Sequence, residues 1–87
     1  MRTVVQDREV TQDIEAARKQ FRRLDDSIMA LEWRLGHQPT DGVHRENKYW
    51  LYRQRGFASR DIPEISVLYS FTDDTVELHA IHIRPAE

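Results

Sequence analysis

Seven apolar residues, Ile14, Ala17, Phe21, Leu24, Ile28, Leu31 and Leu35, recur at alternating spacings of three and four, which sets them on one stripe of a helix. Thr11 is the expected N-cap, with Asp13 and Glu15 in a first turn where the helix dipole favours negative charge. Gly36 and Pro39 supply the stop. The stripe fits a single helix of about 24 residues or two helices hinged near Asp25, Asp26 and Ser27, any of which can cap a second helix; the unbroken phase favours the single helix. A repeat of this length also suits a coiled-coil seam. Burial against the chain's own sheet is preferred, because a small α+β domain needs such a stripe for its core.

After Leu35 the period changes. Gly36 to Gly42 (GHQPTDG) has the composition of a turn. Lys48 to Arg55 (KYWLYRQR) then reads as a strand, with Tyr49, Leu51 and Arg53 on one face and Trp50 and Tyr52 on the other. Gly56 to Pro63 is a loop. Ile65 to Phe71 alternates Ile65, Val67, Tyr69 and Phe71 against Ser66, Leu68 and Ser70, as a half-buried strand does. Asp73 and Asp74 turn a hairpin into a second strand, Val76 to Ile83, and Thr3 to Val5 can add a short one. The predicted fold is α+β: an N-terminal helical region packed on an antiparallel sheet of about four strands.

Length and composition narrow the setting. A chain of 87 residues holds one core and reads as a single domain over residues 1–87. With no cysteine, neither a disulfide framework nor a thiolate zinc site can staple it. It has no apolar run long enough for a membrane span and no signal-peptide pattern at its start, so a cytoplasmic protein without membrane association is expected. The net charge of −2 is unevenly spread: residues 41–60 carry five basic and two acidic side chains, and residues 61–87 one basic and six acidic. Any contact with nucleic acid is therefore local to the middle segment.

Candidate chemistry concentrates there. Arg45, Lys48, Arg53, Arg55 and Arg60 interleave with Tyr49, Trp50, Tyr52 and Phe57, a mixture suited to pairing phosphates and stacking bases. It also suits an ordinary sheet face with its aromatics in the core. His79 and His82, three apart on a strand, are expected on opposite faces, with His79 an exposed strand residue. No metal and no other cofactor is expected, and neither a phosphate loop nor a nucleophile elbow is present.

The segment ISVLYSFTDDTVELHAIHIR resembles the C-terminal hairpin of RelE/ParE-type toxins of bacterial toxin–antitoxin systems. Val67, Leu68 and Tyr69 match that family's aliphatic-aliphatic-Tyr step, Asp73 and Asp74 its acidic turn, and Ala80, Ile81 and Arg84 its closing stretch. The order of helical region and then sheet matches as well. The resemblance implies a RelE/ParE-like fold and a type II toxin that inhibits translation by metal-independent cleavage of ribosome-bound mRNA. Arg84, Arg53 and Arg55 would be the catalytic residues, with Arg45, Lys48, Trp50, Tyr52 and Arg60 contacting RNA or another target. A cognate antitoxin is the implied partner. The chain departs from the pattern at Ser66, where the family commonly carries Arg, and has no Tyr after Arg84. These departures keep open a non-catalytic module that binds DNA gyrase or another protein, and a small oligomeric adaptor, such as a homodimer, that uses the helical stripe.

Overall fold

In the structure, a computed structural model that describes residues 1–87, the apolar stripe faces a mixed sheet. Strand β1 (Thr3–Gln6) leads into helices α1 (Arg8–Arg18) and α2 (Leu24–His37). A 3-10 turn at Pro39–Asp41 then delivers the chain to strands β2 (Val43–Glu46) and β3 (Tyr49–Gln54). A second 3-10 turn at Ala58–Arg60 precedes β4 (Glu64–Phe71) and β5 (Thr75–Arg84). The spatial order is β1-β5-β4-β3-β2, antiparallel throughout except that β1 lies parallel to β5.

The helical region is two helices, not one. Residues 19–23 turn between them, with the Phe21 and Leu24 amides donating to the Ala17 and Phe21 carbonyls. Phe21 stays 6% exposed inside that turn, so the stripe keeps its spacing across the break and periodicity alone cannot detect it. The break precedes Asp25, Asp26 and Ser27, which fall in the first turn of α2. Asp7, not Thr11, stands at the N-cap of α1, while the Thr11 hydroxyl donates to Gln6 Oε1 at 2.9 Å. Gly36 lies inside α2 and serves packing: a Cβ there would come within 3.1 Å of the Arg2 carbonyl oxygen, whose own amide donates to Gly36 O. Pro39 opens the 3-10 turn that ends the helical region.

The sheet has five strands, one more than the hydropathy pattern indicates. The additional strand is β2, whose four residues (VHRE) are all exposed. An edge strand paired on one side and solvated on both faces carries no apolar alternation to read. β4 alternates regularly, burying Ile65, Val67 and Tyr69 at 0% exposure. β5 does not: Tyr69 pairs with Leu78 and Leu68 with Ala80, leaving His79 as the extra residue of a bulge. Val76 and Leu78 therefore face the helices before the bulge, and Ile81 and Ile83 pack on the core after it.

The core joins Val10, Ile14, Phe21, Leu24, Ile28, Leu31 and Leu35 of the helical region to Ile65, Val67, Tyr69, Val76 and Leu78 of the sheet. Each such side chain contributes about 1.5–3 kcal/mol on full burial. The stripe is thus consumed within the chain, and the coiled-coil alternative has no apolar seam left to use. No helix is long and apolar enough to cross a membrane.

Candidate functional site

Both helices pack on one side of the sheet and leave the other side uncovered. Three rows of side chains in register cross that open face. Val43, Leu51, Leu68 and Ala80 form an apolar band over four strands. Arg53, Ser66 and His82 form the next row, and Glu64 beside Arg84 the one after. The second and third rows make one end of the face basic and polar.

At this end Arg55 and Arg84 share a pocket of about 330 Å³ with Gly56, Phe57, Glu64 and the chain's last three residues. Arg84 closes β5, where it was expected, but its guanidinium is engaged: Nε donates to Glu64 Oε2 at 2.6 Å and Nη2 contacts the same oxygen. The Arg84 side chain is 50% exposed, so solvent screens this pair and it holds the guanidinium loosely. Phe57 is 57% exposed at the rim. Arg53, one row away, is exposed.

The other sequence candidates are dispersed. Arg45 is exposed on β2, beside a bulge between His44 and Glu46. Lys48 sits in the β2–β3 turn with its ammonium 5.7 Å from the Tyr49 ring centroid. Arg60 is exposed in the second 3-10 turn. Trp50 and Tyr52 lie on the helix side, packed against the core, with Trp50 against the rings of His44 and Phe71. Neither presents a free ring to a base. Of the aromatics in the middle segment, Phe57 is the one exposed beside the arginines, and its place in a loop gives it no periodic signal.

The opposite end of the open face holds a cluster that alternation could not anticipate. The bulge turns His79 toward Ser70 on the open face, so that His79 and His82 share a face instead of opposing one another. The His79 side chain is 18% exposed, not the exposed strand residue expected. Its Nε2 lies 2.7 Å from Ser70 Oγ, and its Nδ1 lies 3.1 Å from Asp7 Oδ2 and 3.5 Å from Glu77 Oε2. Tyr49 packs edge-on against the ring, 5.3 Å between centroids. The connectivity Ser70–His79–Asp7 is that of an acyl-transfer triad, but Ser70 is only 9% exposed, which closes its hydroxyl to an acyl substrate. This cluster stands about 20 Å along β4 from the Arg84 pocket, six residues at the strand rise.

Tyr69 braces the fold between these ends. Its hydroxyl donates to Pro39 O at 2.5 Å and accepts from the Gly42 amide at 3.2 Å. Burial pushes its phenol up to about 12 from 10.0, the nearby Asp41 charge adding to the rise and the Gly42 hydrogen bond opposing it.

Comparison with protein-family models, with curated proteins and with solved structures finds no match.

Proposed function

We propose that the chain is a RelE/ParE-type toxin that acts on RNA in translation through the basic end of its open sheet face. The observation that carries this reading is the pocket where Arg55, Arg84 and the exposed ring of Phe57 converge, one row from Arg53. Guanidinium groups stabilise negative charge on a phosphoryl group, and an exposed ring stacks on a base. Attack of an RNA 2′-hydroxyl on its adjacent phosphate would break the P–O5′ bond and give a 2′,3′-cyclic phosphate and a 5′-hydroxyl, the proton of the attacking hydroxyl passing to the departing 5′-oxygen while the developing charge gathers between Arg55 and Arg84. His82, which shares a row with Arg53 across Ser66, is placed to carry the proton. No metal enters this step. A cognate antitoxin would neutralise the protein by covering the same face.

The engagement of Arg84 by Glu64 favours a second mode, in which the face binds a target such as gyrase without chemistry, because a phosphate must displace Glu64 to use the guanidinium in full. Induced expression in a host without the antitoxin tests the proposal. Growth arrest with fragmentation of ribosome-bound mRNA is expected. Arrest with intact mRNA selects the binding mode, and normal growth at verified soluble expression removes the toxin reading.

A further inference from the structure

The cluster at the far end of the open face has no role in that reading. Two segments meet there: the β1–α1 junction through Asp7, and β5 through Glu77 and the bulged His79. We infer that Asp7, Glu77 and His79 form a binding site for a divalent transition-metal cation of the Zn²⁺ class, each residue giving one ligand atom.

The spacing is the first argument. Nδ1 of His79 lies 3.1 Å from Asp7 Oδ2 and 3.5 Å from Glu77 Oε2, and all three donor atoms lie within 4.8 Å of one another. Ligands about 2.0–2.1 Å from a tetrahedral zinc stand roughly 3.3 Å apart, so two of the three edges already have the required length.

Charge is the second. Neither Asp7 nor Glu77 pairs with a lysine or arginine; His79 is the only basic partner of both. When Nε2 carries its hydrogen toward Ser70 Oγ, the Nδ1 lone pair faces two carboxylates, the arrangement that holds a cation; when Nδ1 carries it, the ring donates to Asp7 Oδ2 and leaves both carboxylate charges unbalanced. A second ring proton supplies one positive charge against two negative ones, whereas a divalent ion balances both.

The third argument is orientation. Asp7 occupies the N-cap of α1 with extended backbone angles, yet its side chain makes no capping hydrogen bond and turns to His79 instead, forgoing a contact worth about 1 kcal/mol. Ser70, itself buried, holds the far nitrogen of the ring at 2.7 Å. An outer hydrogen bond of this kind fixes the tautomer and aims a histidine ligand. One imidazole with two carboxylates suits Zn²⁺ and its first-row neighbours better than Mg²⁺ or Ca²⁺, which prefer all-oxygen sites. The Glu77 side chain is 48% exposed, which leaves a fourth position for water.

The site would clip the short strand β1 and the start of α1 to β5, and it does not depend on the toxin reading. Calorimetric titration of the metal-stripped full chain with Zn²⁺ should show one saturable site per chain. Asp7→Asn, Glu77→Gln and His79→Gln should each weaken it at least about tenfold, and Ser70→Ala by about tenfold. His82→Gln and His44→Gln should leave it unchanged. Circular dichroism checks each fold, and Glu77→Gln, which removes only a half-exposed charge, remains decisive should His79→Gln unfold. Absence of saturable binding by the wild type overturns the inference. Undiminished affinity in folded Glu77→Gln, or loss in His82→Gln, overturns it equally.

Discussion

Replacing Tyr69 by Phe removes one oxygen atom from a fully buried point of the core. That oxygen donates to Pro39 O and accepts from the Gly42 amide, and the Tyr69 residue is 0% exposed. Phenylalanine fills the same ring volume, so no large cavity opens. What is lost is the pairing of a carbonyl and an amide in the segment that carries α2 into β2. Leaving buried polar groups unsatisfied costs about 1–3 kcal/mol each, and partial hydration of the turn at Pro39–Asp41 limits the sum to roughly 2–3 kcal/mol. The same geometry fixes a pH dependence. The folded-state phenol is raised to about 12 from 10.0, so the folded state favours the neutral form. This contribution is fully present below pH 10 and is lost as pH rises toward 12. A rise of this size corresponds to about 3 kcal/mol, of which roughly half is lost by pH 11. Urea unfolding followed by circular dichroism at pH 8 and pH 11, on wild type and Tyr69→Phe, isolates this effect, since the other titrating groups are common to both chains. The wild type should lose about 1 kcal/mol more than the variant over that interval. Equal losses, or a neutral-pH cost below about 0.5 kcal/mol, would refute the assignment of Tyr69 as a buried brace.

The remaining expectations address other parts of the molecule. Leu31→Asp places an unpartnered charge at a position of 0% exposure and should cost at least about 3 kcal/mol in chemical denaturation, unfolding the monomer and not merely dissociating an assembly. Gly42→Ala drives a Cβ into the Tyr69 hydroxyl and the Leu51 carbonyl and should cost about 1–3 kcal/mol, read as a lowered urea midpoint. Arg84→Ala should leave the fold intact, because the Arg84 side chain is half exposed in its pair with Glu64, and if the proposed ribonuclease activity holds it should lower cleavage of ribosome-bound mRNA by on the order of 100-fold, with little recovery in Arg84→Lys. Unchanged toxicity in that folded variant points to the binding mode.

What the sequence disclosed followed from whether a residue's environment repeats. Ile14 through Leu35 and Ile65 through Phe71 each bury one face continuously, so their spacing revealed both the layer and its partner. Local exceptions left no periodic trace. The break at residues 19–23 conserves the phase of the stripe because Phe21 stays buried in the turn. Strand β2 buries nothing. The bulge at His79 inserts one residue, and every face assignment beyond it on β5 inverts relative to simple alternation, which is why alternation alone sets His79 and His82 on opposite faces. Asp7 meets His79 through the parallel pairing of β1 with β5, a contact 72 residues apart in sequence that no local pattern encodes. The nearness of Arg55 to Arg84 was more legible, because Arg55 directly follows β3 and Arg84 closes the hairpin that pairs beside it. The roles of Trp50 and Tyr52 were not, since alternation separates them from Tyr49 and Leu51 but does not say which set meets the helices.

The open face derives from the topology. Two helices inserted between β1 and β2 cover one side of the sheet, and the short connections among the later strands leave nothing to cover the other. Such a face costs little only when few of its residues are strongly apolar, and here Leu51 and Leu68 make a single band between two polar ends. Each end is built across strands that are distant in sequence: Arg53 or Arg55 with Arg84 at one, Asp7 with Glu77 and His79 at the other. The ends differ in charge: the first sets the guanidinium groups of Arg53, Arg55 and Arg84 against the carboxylates of Glu64 and Glu87, and the second gathers the carboxylates of Asp7 and Glu77 around one imidazole. An anionic ligand lying across the band is therefore drawn to the arginines and repelled from the carboxylates, which gives it a direction on the sheet. A cation held between Asp7 and Glu77 would weaken that repulsion, and so the occupancy of the far cluster would bear on how a polyanion such as RNA settles over the Arg84 pocket.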